Sequence, residues 1–494
     1  MKKRYEISAI MIIMLLICLP VVAIAQTEDD FVSNGRHIKK QLLDADVRTL
    51  LENTGIPALS LAIIDNDSIV FHNQYGYRNL SGQQKVDPET VFEACSLSKV
   101  FLVYVVYKLV QQGQLDLSKP MCEYQEYPAL MHDERYKRIT PGMIISHTSG
   151  MENWIWDNTG DKLEIVRNPG EAYTYSGEGF QYLAKVVEGI LHSPYDTYID
   201  SMVLKPFGLK NTYLKFSSGL PEVPSNYTFG HNSLGKPLDK WKPRAALPST
   251  SVHTTAADFA RLVIAIFAEG GLNHAAKMTM LQPVMQTDKE NPFVFMSYGF
   301  GLIRTANDTI VSYNGSNDGF KARLYYSVPH KRGLIYLTNS DRGGQIDAKL
   351  ASLSGCGLDP AAALDDSVYC QYPGPAFDLL GIYREKGIAP MMAAVEAFAA
   401  RNALQRNTLN ELADIFLDED ITTARQLLTT SIRYFPTSAL SHFLMGMTWF
   451  KEKKYGKAQA CFVKAKALQY DQEEADTYIR LCKNEIKKEP ALHH

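Results

Sequence analysis

Strand-like runs stand at two widely separated places in this chain, and they can build one sheet only if the intervening sequence folds back to let them meet. PALSLAII and SIVFHNQY flank the turn residues Asp65-Asn66-Asp67, so Pro57–Tyr75 reads as a β-hairpin. Strand-like runs return between Tyr298 and Asn339 as YGFGLI, TIVSYN, KARLYYSV and RGLIYLT. Asn307-Asp308, Asn317-Asp318-Gly319 and Pro329-His330 supply the turns between them. The middle of the chain is helical. VFLVYVVYKLV, ending near Gly113, is apolar on every side and therefore predicts a buried helix. Phe180, Leu183, Val187 and Ile190 recur at helical spacing over Gly179–Leu191, and a further helix is expected over Thr255–Phe267. Strands at both ends with helices between them predict an α/β fold: an antiparallel sheet flanked by helices plus a helical lobe, over residues 26–372.

After Tyr372-Pro373-Gly374-Pro375 the composition changes, and residues 376–486 read as an all-α repeat region. Gly446, Trp449, Tyr455, Ala458, Phe462 and Ala465 fall at tetratricopeptide spacing. Ile421, Ala424 and Leu428 repeat three of these positions 34 residues earlier, in a copy that ends at Pro436. Tyr470 stands where the later copy would end in proline. Small residues at the alanine positions let two helices approach closely, and the aromatic residues fill the groove beside them. Such a module is expected to bind a protein or peptide partner, or to brace the domain before it.

The first 25 residues predict a cleaved signal peptide. Lys2, Lys3 and Arg4 precede an apolar run from about Ile10 to Ile24, and Ala23-Ile24-Ala25 gives a small-x-small cleavage pattern before Gln26. A periplasmic or secreted location follows, with no transmembrane segment after signal removal. Beyond Cys18, the cysteines are Cys95, Cys122, Cys356, Cys370, Cys461 and Cys482. Cys356/Cys370 and Cys461/Cys482 are candidate pairs, but spacing does not establish either. No metal-ligand spacing, phosphate-binding loop, dinucleotide fingerprint or Gly-x-Ser-x-Gly elbow is present, so no metal or cofactor is expected. A net charge of −3 gives no reason to expect a nucleic-acid partner.

Ser96-Leu97-Ser98-Lys99 carries the chemistry. Ser-x-x-Lys occurs twice, but Ser233-Leu234-Gly235-Lys236 lies in a polar loop, whereas Ser96 stands where a strand-like segment meets the buried helix. A serine at a helix start feels the positive end of the dipole, and a lysine three residues on shares its face. Desolvation against that helix would lower the amine's pKa until it can accept a proton. Tyr173-Thr174-Tyr175-Ser176-Gly177, on a loop before the Gly179 helix, offers a tyrosine proton shuttle. Tyr313-Asn314-Gly315-Ser316 offers a strand on which Gly315 admits substrate, and the N–H groups of Ser316 and Ser96 would form an oxyanion hole.

In order along the chain, these segments resemble the serine beta-lactamase-related superfamily, on the side of class C beta-lactamases, D-aminopeptidases and esterases of the penicillin-binding-protein type. The resemblance runs from about Ile56 to Asn339. Besides Phe92–Lys99 it takes in Gly113-Gln114-Leu115-Asp116-Leu117, Ile139-Thr140-Pro141 leading to Ser146-His147-Thr148-Ser149-Gly150, and Pro169-Gly170 before Tyr175-Ser176. It continues through Phe207-Gly208-Leu209 with Thr212, and Thr254-Thr255-Ala256-Ala257-Asp258. It implies that Ser96 is acylated, that Lys99 and Tyr175 share the general-base role with coupled proton affinities, and that His147 is structural. Two positions depart from the family pattern. Gly177 stands where asparagine is usual, and Tyr313 stands where lysine or histidine would attract a substrate carboxylate.

The resemblance therefore implies an exported serine hydrolase acting on a small-molecule or peptide substrate: an ester, amide, D-amino-acid peptide or beta-lactam. General ester or amide hydrolysis ranks above efficient beta-lactam turnover. The alternative is a catalytically silent peptidoglycan- or peptide-binding protein whose helical repeats recruit a partner.

Overall fold

The computed structural model describes residues 30–155, 162–216, 225–287, 291–358, 371–401, 404, 406–470 and 472–488. The signal segment, Cys18 and Cys370 lie outside the described residues. The two strand-rich stretches do meet. Ala58–Asp65 (β1), Ser68–Asn79 (β2) and Gln84–Lys85 (β3) join Pro283–Gln286 (β4), Val294–Ser297 (β5), Gly301–Arg304 (β6), Thr309–Asn317 (β7), Phe320–Ser327 (β8) and Arg332–Thr338 (β9). They form one antiparallel nine-stranded sheet in the order β3-β2-β1-β9-β8-β7-β6-β5-β4. The closing pair is β1 with β9, where Leu61 faces Tyr336 across the ladder.

Period-two alternation decides what covers each face of the sheet. Ala58, Ala62, Ile64, Val311, Ala322, Leu324 and Ile335 enter the core shared with the middle of the chain. Leu59, Leu61, Ile63, Ile310, Leu334 and Tyr336 face the opposite core, with Leu43, Val47 and Leu50 of the helix Lys40–Thr54 (α1). Burial on both faces explains why β1 is apolar almost throughout, and each such Leu or Ile contributes roughly 1.5–3 kcal/mol. The apolar helix Ser98–Gln111 (α2) runs through the first core. Gly177–Leu191 (α3) is capped by the Ser176 hydroxyl, which accepts from Gly179 N at 3.0 Å. Ala256–Phe267 (α4) is capped by Thr255, whose hydroxyl accepts from Asp258 N at 3.2 Å.

The strands between residues 283 and 317 differ from expectation at three points. YGFGLI is not one strand: Tyr298–Phe300 bends, and only Gly301 onward pairs. β4 and β5 were not foreseen, being four-residue segments with weak alternation. Asn317 ends β7 rather than entering the turn, because its side chain is held at both ends. It donates to Glu93 Oε2 (2.7 Å) and accepts from Thr250 Oγ1 (2.8 Å).

Beyond Gly374 the chain is helical: Pro375–Lys386 (α5), Ile388–Ala400 (α6), Arg406–Leu417 (α7), Ile421–Tyr434 (α8), Ala439–Lys451 (α9), Tyr455–Ala467 (α10) and Gln472–Lys488 (α11). Ala424 and Leu428 are buried in one small core, and Ala458, Phe462 and Ala465 in the next. Tyr470, in place of proline, stacks on Phe443 at 4.2 Å between ring centroids. Arg425 of α8 lies 3.8 Å from the centre of the Trp449 ring on α9, linking the two cores by a cation–π contact. Cys461 and Cys482 remain free thiols.

The second Ser-x-x-Lys copy has a mechanical use. Leu234 packs on the core of α5–α8, while Asn232 (2.7 Å) and Lys236 both engage Glu419 at the α7–α8 corner. That loop docks the helical region onto the sheet domain.

Gly446 sets the spacing of α9 and α10, since a β-carbon there would lie 2.6 Å from the Phe462 ring. Gly446→Val should lower stability by about 1–3 kcal/mol, read as a fall in the urea midpoint. An unchanged midpoint would show that helix spacing is not set at this residue.

Candidate active site

Ser96, the candidate nucleophile, is delivered by a strained turn. Phe92–Glu93 pairs with His253–Thr254, and Ala94 N donates to Val252 O at 2.8 Å, which fixes the approach to the turn. Cys95 then takes φ 52°, a left-handed conformation that costs a non-glycine residue about 1 kcal/mol or more. A single tight helical turn, Cys95–Leu97, carries Ser96 ahead of α2, which starts at Ser98 rather than at Ser96. The neighbouring Ser98 is buried and fully engaged. Its hydroxyl donates to Cys95 O (2.6 Å) and accepts from Val252 N (3.1 Å), so it locks the turn, and the half-buried Ser96 is the serine that faces the cleft.

Lys99 and Tyr175 converge on that serine. The Tyr175 hydroxyl is 2.6 Å from Ser96 Oγ and 2.7 Å from Lys99 Nζ, and the amine itself is 3.4 Å from Ser96 Oγ. Lys99 also donates to Ser249 O at 2.9 Å. Its side chain is wholly buried beside the rings of Tyr175 and Phe180, and no carboxylate is among the groups that shift it. Desolvation therefore pulls its pKa down to about 7, against a small opposing effect of Cys95. Burial raises Tyr175 to about 12, opposed by its hydrogen bond with Ser96. Of the two coupled groups, the amine is the one that changes charge near neutral pH.

His147 does not reach the serine. It stacks on Tyr175 with 4.4 Å between centroids, its Nδ1 accepts from Ser176 N at 3.2 Å, and burial keeps its pKa well below the usual histidine range. It is a neutral plate that orients Tyr175.

On the opposite wall, β7 presses against the nucleophile turn at Gly315. A β-carbon there would meet Ala94 O at 2.8 Å and Cys95 Cβ at 3.0 Å, so only glycine permits this approach. Ser316 lines the same cleft as Ser96. Tyr313 and Asn314 face an adjoining chamber of about 280 Å³ with His147, Tyr173 and Tyr175. The Tyr313 hydroxyl is buried there without a partner, and burial holds its pKa well above 10. Gly177 does not border the cleft either. The Trp154 indole covers it, since a β-carbon would fall 2.5 Å from that ring, and Gly177 N donates to Asn153 Oδ1 at 2.9 Å.

The cleft, about 960 Å³, is walled by Asn153, Trp154, Trp241, Asp239, Asp318 and Thr250 as well as by Ser96, Tyr175 and Ser316. None of the first six was singled out from sequence, because only tertiary folding gathers them. Glu93 at its floor is ion-paired to Lys240 (2.6 Å), which is also 2.8 Å from His253 Nε2. Burial alone would raise the Glu93 pKa, but His253, Lys240 and Asn317 override it and hold it at about 2. This ionic cluster anchors Asn317, and with it the end of the oxyanion strand. Lys321 on β8 donates to Ser316 Oγ (2.8 Å) and is paired with Asp341 (3.4 Å). Among the described residues no group of side chains has the make-up of a metal site, and no helix is long and apolar enough to cross a membrane.

A buried amine of lowered pKa, a phenol bridging it to a serine hydroxyl, and backbone N–H groups on the facing wall form an arrangement able to activate a serine towards a carbonyl. Protein flp of Staphylococcus aureus (strain MW2) is 22% identical over 331 residues, 61% of this chain and 63% of that protein, so the chain spans less than two thirds of that relative's length. Penicillin-binding protein 4* of Bacillus subtilis (strain 168) is 23% identical over 384 residues, covering 68% of this chain and 82% of that one. The structure of a beta-lactamase/D-alanine carboxypeptidase from Pseudomonas syringae superposes with a TM-score of 0.55 at 18% identity, covering 65% of this chain and 99% of that one. The beta-lactamase family profile matches residues 43–355, more than half of the 494. The chain belongs to the beta-lactamase family.

Proposed function

We propose that this chain is an exported serine hydrolase that cleaves an ester or amide through an acyl-enzyme on Ser96. The observation that carries the reading is the contact of Ser96, Tyr175 and a buried Lys99 within 2.6–3.4 Å. With Lys99 neutral, the serine proton passes to the Tyr175 oxygen while the phenol proton passes to the amine. Ser96 Oγ adds to the substrate carbonyl, and the N–H groups of Ser96 and Ser316 hold the oxyanion. Collapse expels the leaving group, which takes the proton back through the same relay. Water, deprotonated by the same couple, then releases the acid and restores Ser96.

The walls of the cleft favour an acyl donor that is neutral or bears an amine. Asp239 and Asp318 face it, no cation lines it among the described residues, and the nearby Lys321 is paired with Asp341. A carboxylate-bearing beta-lactam would approach like charges. Trp154 and Trp241 offer flat apolar contact to the acyl group. A catalytically silent binding protein is the weaker reading. Its grounds are Gly177 and Tyr313, and neither hydrogen-bonds to Ser96, Lys99 or Tyr175. The helical region, with α8 and α10 starting 34 residues apart at Ile421 and Tyr455, is proposed as a tetratricopeptide-like module for a protein or peptide partner.

Purified protein should hydrolyse p-nitrophenyl acetate and take up a fluorophosphonate label at Ser96. Ser96→Ala should abolish the label and cut the rate by about a thousandfold or more. A wild-type protein that neither labels nor turns over esters, D-alanyl peptides or nitrocefin would sink the proposal.

The pH profile has a definite sign. The reactive state needs Lys99 unprotonated, so kcat/KM should rise with pH and be half-maximal near the amine's pKa of about 7. A rate that falls as pH rises through that range would show that the amine is not the base.

A further inference from the structure

A second pocket lies where the helical region meets the sheet domain, and it shares no lining residue with the Ser96 cleft. It has a volume of about 410 Å³ and is bounded by α1, β2, the 233–235 loop and α5. Among the described residues four cations line it, Arg48, Lys85, Arg342 and Arg384, against the carboxylate of Glu52, with Glu411 also acting on Arg342, while Leu51 and Leu234 give it apolar sides.

Arg342 is the built element. The residue is only 3% exposed; its Nε donates to Gln345 Oε1 (3.1 Å) and its Nη1 to Thr54 O (2.7 Å), so the guanidinium is fixed. Its Nη2 is buried and has no acceptor. The Phe377 ring of α5 lies 4.6 Å from the guanidinium carbon. Arg384 approaches from α5, pressed over Gly55, where a β-carbon would fall 1.6 Å from its Nη1; its Nη2 donates to Asn53 O at 3.3 Å. Burial, and then the neighbouring Arg384, lower the Arg342 pKa to about 10 against the opposing charge of Glu411, and burial also lowers Arg384 against Glu385. Two like charges held together at an apolar pocket, one with an unused N–H donor, are stabilised by an oxyanion between them.

We propose that this pocket binds an organic anion, with a carboxylate or phosphate head held by Arg342 and Arg384 and an apolar body against Leu51 and Leu234. Because Arg342 belongs to the sheet domain and Arg384 to the helical region, an occupant would fasten the two together. The proposal stands apart from the hydrolase reading.

Calorimetric titration of the full-length chain with phenyl phosphate and with phenylacetate tests it, and the two arms separate phosphate from carboxylate heads. At least one should bind one-to-one and raise the melting temperature, whereas benzyl alcohol, with the apolar body but no charge, should not bind. Arg384→Ala, on the rim of the pocket, should weaken binding about tenfold or more, and Arg384→Lys should recover part of the loss. Arg342→Lys should weaken binding too, with Arg384→Ala deciding the matter if that variant does not fold. Absence of saturable binding by either anion, or binding that survives Arg384→Ala unchanged, overturns the proposal.

Discussion

The amine of Lys99 is enclosed by the sheet, α2 and the Tyr175 loop with no carboxylate among the groups that shift it, and the chemistry of the domain depends on that. Lowering a lysine from 10.5 to about 7 corresponds to a penalty of about 5 kcal/mol on the charged form. The fold sustains it because α2 is buried on nearly every side and its neighbours are aromatic rings rather than acids. A single aspartate beside Lys99 would stabilise the ammonium and remove the base. The same burial raises Tyr175, so the phenol keeps its proton and serves as a bridge while the amine takes the charge. His147 completes the arrangement as a neutral plate, since a protonated imidazole against Tyr175 would repel the proton arriving at Lys99.

Much of this was legible in sequence because it is local. Lys99 follows Ser96 by three residues, so helical geometry alone puts them on one side, and an apolar run of that length reads as a buried helix. The two strand groups were legible for the same reason, since alternation and turn residues are short-range signals. What was not legible depends on distance. Glu93, Lys240, His253 and Asn317 are scattered through the chain, and only the sheet gathers them into the cluster that anchors the oxyanion strand. The left-handed Cys95 has no residue-type signal, because glycine or asparagine would be the usual occupant of that conformation. In sequence, Gly177 is only a departure from the family's usual asparagine. The structure shows a glycine required by an indole that arrives from elsewhere in the chain.

The duplicated Ser-x-x-Lys pattern shows how context decides chemistry. Both copies present a hydroxyl and an amine three residues apart, but Lys236 is exposed to solvent and paired with Glu419, which holds its pKa up. Lys99 is wholly buried, with no acid among the groups that shift it. Identical spacing therefore yields the proposed base in one place and a surface clamp in the other.

That clamp bears on the helical region's freedom. Glu419 takes Asn232 and Lys236, Glu411 takes Gln345, and Phe377 takes the face of Arg342, so polar and cation–π contacts hold this junction together with the insertion of Leu234. Exposed ion pairs are worth little each, whereas a buried guanidinium that has spent only part of its hydrogen-bonding capacity is sensitive to whatever anion it meets. The sheet domain is fixed internally by its two cores, so a change at the junction would shift the helical region before it reached Ser96. The proposed partner engagement by the helices and the proposed acyl transfer in the cleft are accordingly separable in this architecture, with Arg342 the point at which they could be made to communicate.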